Sequence, residues 1–147
     1  MTIVQERGGV LTNLEVKLLL EEQQSRRIQD EQAMPLPGAR RGQAGAAAWQ
    51  SQQHAALISE QVSTYLETTS CVRQTRESIT AFMGAIERFQ LTTAEALSLV
   101  NTQPQSVVEI HLLVEECEER LSSDDVLALL RLCKTLSPEA VGSDAST

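Results

Sequence analysis

Apolar residues recur along most of this chain at intervals of three and four, the spacing that gathers side chains on one face of an α-helix. The run Ile79, Phe82, Met83, Ile86 and Phe89 shows it most strongly. Ile58, Val62, Tyr65 and Leu66 make an earlier stripe, and Val126, Leu129, Leu130, Cys133 and Leu136 a later one. Between them, Ile110, Leu113, Val114, Cys117 and Leu121 define a stripe along 104–121, "PQSVVEIHLLVEECEERL". The two-residue alternation of a half-buried strand is absent from 50–136. The pattern predicts an all-α protein whose later part is a compact bundle of five short helices with brief connections.

Local start and stop signals agree. Thr12 with Glu15, Thr92 with Glu95, Ser106 with Glu109, and Ser122 with Asp125 each put a hydroxyl three residues before a carboxylate. In that arrangement both side chains satisfy backbone N–H groups that a helix start leaves unpaired. Pro104 and Pro138 block continuation of the helices before them. The helix opened by Thr12 carries Leu14, Val16, Leu18, Leu19 and Leu20 within two turns. Those side chains point in several directions, so the helix needs cover from more than one side, which predicts docking. Residues 33–48, "AMPLPGARRGQAGAAA", are too rich in proline, glycine and alanine to bury much. The organisation expected is an N-terminal helical arm over 1–31, a flexible linker over 32–51, a helical bundle over 52–137 and a disordered tail over 138–147.

Composition narrows the picture. Only 3% of the 147 residues are aromatic, so the core must be aliphatic. Three cysteines, Cys71, Cys117 and Cys133, without a CxxC pair suit neither a disulfide scaffold nor a zinc ribbon. Cys117 and Cys133 fall on apolar faces and read as small buried hydrophobes. The opening "MTIVQERGGV" lacks the basic start and apolar core of a signal peptide, and no apolar run is long enough to span a bilayer. The protein is expected inside the cell, with no membrane contact. A net charge of −8 disfavours charge-driven binding of nucleic acid. Residues 104–133 carry seven acids against two arginines, whereas Arg73, Arg76 and Arg88 leave room for at most an auxiliary nucleic-acid contact.

The outer face of 104–121 is an almost unbroken acidic ridge. Glu115, Glu116, Glu118 and Glu119 lie off the apolar stripe, so they should stay hydrated and ionised. Acid–base catalysis by paired carboxylates needs their pKa values pushed apart, which hydration prevents. His111 and Glu115 share a helical face, but only Glu118 is near enough to be a third ligand, and no metal site is completed. Arg120 is spaced to pair with Glu116 one turn back. His54 and His111 are the only histidines, and phosphate-cradling, nucleophile-elbow and zinc-protease motifs are absent. No catalytic residue, metal, cofactor or small-molecule substrate is expected. The acidic ridge is either a solvated face or a docking surface for a basic partner.

"VEIHLLVEECEERL", preceded by "LTTAEALSLVNTQP" and by the "LTNLEV" arm, resembles the small stalk subunits of DNA-directed RNA polymerases, above all that of RNA polymerase III. In animals the same family is called calcitonin-gene-related-peptide (CGRP) receptor component protein; its relatives are the small stalk subunits of RNA polymerase II and of the archaeal enzyme. The likeness covers about 10–24 and 59–133, with Leu91–Leu121 the specific block. It implies an HRDC-like helical bundle and a non-catalytic role in the nucleus. The arm would join a larger OB-fold stalk subunit in a heterodimer on the polymerase core. That heterodimer would meet initiation factors and support promoter-dependent transcription of tRNA and other small RNA genes. By position, Val10, Leu11, Leu14, Val16, Leu18 and Leu19 become the partner-docking residues. Glu109, Ile110, Leu112, Val114, Glu115, Glu116, Glu118, Glu119 and Arg120 match the bundle signature, with the four ridge glutamates meeting a basic surface. The chain departs from the pattern in the linker, and in an acidic face where helicase HRDC bundles are often basic. Two other readings stay open: a peripheral adaptor in CGRP-type peptide-receptor signalling, and a stand-alone nucleic-acid-binding bundle.

Overall fold

Hydroxyl side chains set where most of the short helices begin. The computed structural model describes residues 9–33 and 43–137, with side chains described for 9–30 and 50–137. Among these residues lie α1 (Asn13–Ala33), α2 (Gln43–Glu67), α3 (Arg76–Ile86), α4 (Thr93–Thr102), α5 (Val107–Leu113), α6 (Cys117–Arg120) and α7 (Ser123–Thr135). Short 3-10 turns occupy Ser70–Arg73 and Glu87–Phe89. The described residues contain no strand, and the all-α expectation holds. Capping boxes at Thr92, Ser106 and Ser122 open α4, α5 and α7, as their spacing predicts. A further box opens α3, where Ser78 replaces the usual acid opposite Thr75. Helix α1 starts directly after Thr12.

The chain divides into two compact units, one built from 9–14 with 69–137, the other from 15–33 with 43–68. In the first unit, α7 packs against α3 and α5, and α4 against α3 and α5. Their facing stripes make one core, with Phe82, Leu99, Ile110, Leu129 and Leu136 at its centre. Burying each of these side chains contributes about 1.5–3 kcal/mol before the entropy of ordering them. Met83, on the same sequence stripe as Phe82, stays exposed. Helix α4 ends at Gln103, whose left-handed backbone (φ 50°) returns its N–H to the Leu99 carbonyl. Buried Pro104 follows. Gln74 Nε2 donates to the Val100 carbonyl at 2.7 Å and Ser137 Oγ to Gln103 Oε1 at 2.9 Å, while Gln74 Oε1 is buried without a partner.

In the second unit, α1 carries the i,i+4 pairs Lys17–Glu21 and Arg26–Glu22, surface contacts worth a few tenths of a kcal/mol each. On α2, Leu66 is buried but Ile58 and Tyr65 are exposed, so the stripe read from 58 to 66 is only partly covered within this chain. The start of α2 corrects the expected linker. Residues 43–51 are helical because alanine, abundant in "QAGAAAWQ", is the best intrinsic helix former and outweighs Gly45. The rest of the proposed linker, 34–42, lies outside the described residues, as do residues 1–8 of the arm and the tail 138–147.

Candidate docking faces

The ridge is not one helix. Where periodicity predicts a continuous helix to Leu121, α5 stops at Leu113, and Val114 takes an extended conformation. Glu116 is left-handed (φ 49°), and only then does the single turn of α6 begin. Val114, Cys117 and Leu121 all end up buried in the core. The break turns the chain back toward the start of α4, where one side chain collects its loose ends.

That side chain is Glu95, which is only 6% exposed. Its carboxylate accepts the Thr92 N–H at 2.7 Å, closing the α4 capping box. It also accepts the Glu115 N–H at 3.0 Å and both Nη1 and Nη2 of Arg120, at 2.7 and 3.2 Å. Arg120 donates further to the carbonyls of Glu115 (2.9 Å) and Gln90 (3.2 Å). Gln90 is itself left-handed (φ 52°). A buried carboxylate survives only when paired and hydrogen-bonded, and here its donors come from three separate stretches of chain. The Arg120 guanidinium, helped by the backbone N–H groups and opposed by burial, holds the Glu95 carboxyl down at about 2. The same contact pushes the Arg120 pKa up. The expected Arg120–Glu116 pair is therefore corrected: Arg120 turns inward to the buried acid, whose low exposure makes it the stronger partner.

The ridge glutamates Glu115, Glu116, Glu118 and Glu119 are all exposed. The ion pairs found among the described residues are Lys17–Glu21, Arg26–Glu22 and Arg120–Glu95, and none involves a ridge acid. Glu115 and Glu116 sit in the turn, Glu118 and Glu119 on α6, and the Glu95–Arg120 clip fixes both stretches. Four exposed carboxylates thus flank the clip, and the Arg120 guanidinium, engaged by Glu95, is the cation beside them.

The arm divides. Asn13 N–H, one of the free amides at the start of α1, donates to Asn101 Oδ1 at 2.9 Å. Asn101 also accepts Ser70 Oγ on its carbonyl at 3.1 Å. Leu14 is 6% exposed and belongs with the first unit. Of the six expected docking residues, Leu14 is thus buried by its own chain and is not available as a free anchor. Val10, Leu11 and Leu19 are exposed, and Val16 and Leu18 are half-buried.

His54 and His111 are exposed, and all three cysteines are buried thiols. Burial pushes Cys133 up to about 12 and raises Cys117 as well, the opposite of what a nucleophile needs. Among the described residues no three His, Cys, Asp or Glu side chains are placed to share a metal ion. No described helix is long and apolar enough to cross a membrane.

The tying residues are those of the sequence motifs: Asn13 of "LTNLEV", Glu95 and Asn101 of "LTTAEALSLVNTQP", and Arg120 of "EERL". The sequence pattern of the RNA polymerase Rpb4 family matches residues 10–137. The Dictyostelium discoideum protein named DNA-directed RNA polymerase III subunit rpc9 is 35% identical over 86 residues, 54% of this chain and 65% of that protein. The fission yeast (Schizosaccharomyces pombe) protein of the same name is 30% identical over 139 residues, 94% of this chain and the whole of that protein. Since the match takes in the arm, the Glu95 clip and the bundle in one continuous span, the chain belongs to the RNA polymerase Rpb4 family.

Proposed function

We propose that this chain is the small, non-catalytic stalk subunit of RNA polymerase III, working in the nucleus. In this reading its arm joins a larger OB-fold stalk subunit, and the heterodimer supports promoter-dependent initiation through contacts with initiation factors. The observation that carries the reading is the alignment with the fission yeast rpc9 protein, which accounts for all of that protein and 94% of this chain. The arm supports it: Val10, Leu11 and Leu19 are large apolar side chains left in water, where a subunit interface would cover them. Leu14, in the same unit as Val10 and Leu11, is instead buried.

Co-expression with an OB-fold stalk partner and affinity purification tests this. A stable heterodimer that co-isolates with large polymerase III subunits is expected. Val10→Asp, Leu11→Asp and Leu19→Asp together should abolish it while far-UV circular dichroism stays unchanged, since all three side chains are exposed in the isolated chain. Isolation with membrane receptors and no polymerase subunits would overturn the proposal in favour of the adaptor reading.

A further inference from the structure

The bundle has a second uncovered apolar face, distant in sequence from the arm. On α5, Val108 and Leu112 stand one turn apart at 68% and 80% exposure. Steps of about 100° per residue put them next to the face carrying Val107 and His111. Val107 and His111 form one wall of a groove of about 570 Å³, with Leu121, Val126 and Leu127 beyond them and Glu118 at its edge. Single exposed apolar residues are ordinary on any surface, but two of them one turn apart on the helix that walls a groove make a larger apolar target. Acids predominate around it, with exposed Arg131 one turn beyond Leu127 on α7. Glu109, Glu115, Glu116, Glu118, Glu119 and Asp124 are exposed, and the only lysine or arginine in 104–127, Arg120, is bound to Glu95.

We infer that the α5–α7 groove with its Val108–Leu112 edge is a docking site for a basic amphipathic helix of another polypeptide. Apolar anchors one turn apart would enter the groove, and lysines or arginines beside them would meet the acidic rim. Charge selects this occupant. A second copy of a chain with net charge −8 would be repelled, and the tail 138–147 carries Glu139 and Asp144 but no lysine or arginine. Within this chain the paired arginines are Arg26–Arg27, on α1, and Arg40–Arg41. On α5 the groove spans Val107 to His111, one turn or roughly 6 Å, which matches a helix engaging through a pair of anchors. Apolar contact would supply the residence time, and the rim the on-rate and direction. The inference does not depend on the arm reading.

The test uses the full chain and a fluorescent peptide of about 16 residues, with leucines at i, i+4 and i+7 among lysines, followed by anisotropy. Micromolar binding is expected, at least about tenfold tighter than for a scrambled peptide of the same composition. Val108→Asp with Leu112→Asp should weaken it about tenfold or more, with an unchanged thermal melt because both side chains are exposed. Glu118→Lys with Glu119→Lys should weaken it several-fold at about 50 mM salt and much less at about 300 mM. Val10→Asp with Leu11→Asp should leave it unaltered, so that failure of the arm reading and failure of this one are separable. Equal affinity for the scrambled peptide, or indifference to the Val108 and Leu112 changes, would overturn the proposal. So would a tenfold gain in affinity from Arg40→Ser with Arg41→Ser, which would show the chain's own segment in the groove. A dimer dissolved by the Leu112 change would overturn it too.

Discussion

Replacing Glu95 by Gln removes one negative charge from a nearly buried site and leaves the shape intact. Glutamine is also an accepted third residue of a capping box, so helix α4 itself should still start at Thr93. What goes is the charge-assisted half of the clip: the two Arg120 contacts at 2.7 and 3.2 Å and part of the bond from the Glu115 N–H. The magnitude follows from the carboxyl's own titration. Its pKa falls from 4.5 to about 2 on folding, which at about 1.4 kcal/mol per pH unit corresponds to about 3 kcal/mol. Because the Arg120 side chain remains 30% exposed, solvent screening brings the expected loss to about 2–3 kcal/mol. The sign of the pH dependence is determined too. A depressed folded-state pKa gives stability that is complete above about 4.5 and disappears as the pH falls toward 2. At pH 3 the linkage relation leaves about 1.5 kcal/mol of it. Urea unfolding of wild type and Glu95→Gln, followed by circular dichroism between pH 7 and pH 3, should show a stability gap that narrows by about half. A gap below about 0.5 kcal/mol at pH 7, or one constant across the range, would refute the account of Glu95 as the ionised centre of the turn.

Other consequences are simpler to check. Leu99→Ala, at a fully buried position on α4, should cost about 3–5 kcal/mol in the same urea assay, the range for a cavity that cannot collapse. Glu116 has a φ of 49°, so Glu116→Val should lose about 1–2 kcal/mol, while Glu116→Gly should be neutral or gain up to about 1 kcal/mol. Asn101→Ala removes the acceptor of the Asn13 N–H, and amide hydrogen exchange at Asn13 should accelerate by about tenfold, corresponding to about 1 kcal/mol. With Cys133 raised to about 12 and all three thiols buried, iodoacetamide at pH 8 should label none of them until urea unfolds the chain.

The parts of this fold that could be read from sequence are those whose chemistry acts over three or four residues. Three capping boxes, the stripes of α3 and α7 and the absence of strands depend on neighbours within one turn. The box at Thr75 escaped that reading because Ser78 stands where an acid or amide is usual. Helix in 43–51 is masked in the sequence by the glycines and prolines of 33–48, whose breaking tendency the alanines outweigh. Two larger misreadings share a different cause. The helix break at 114–116 has no glycine or proline to announce it, and the Arg120–Glu95 pair spans 25 residues of sequence. Likewise the burial of Leu14 goes with Asn101, whose bond to Asn13 reaches across 88 residues. A local pattern can identify Arg120 as a cation near Glu116, but not that a buried carboxylate on another helix would take it instead.

The break, the clip and the groove are consequences of one another. Had α5 continued in register, Glu115 through Arg120 would have extended along its axis, and Leu121 and Glu118 would not line a groove beside Val107 and His111. The turn costs a left-handed glutamate, about 1–2 kcal/mol, and the Glu95 contacts, at about 2–3 kcal/mol, are large enough to offset it. Sequences tend to break local rules where function or strain demands it. Here the broken rule leaves four exposed carboxylates outside the Arg120–Glu95 pair, on the unit that also exposes Val108 and Leu112. If the proposed docking role holds, rigidity is the useful product of that arrangement. A charged face steers a partner only if its charges hold their positions, and the partly exposed Arg120 on the nearly buried Glu95 ties down the turn that carries them.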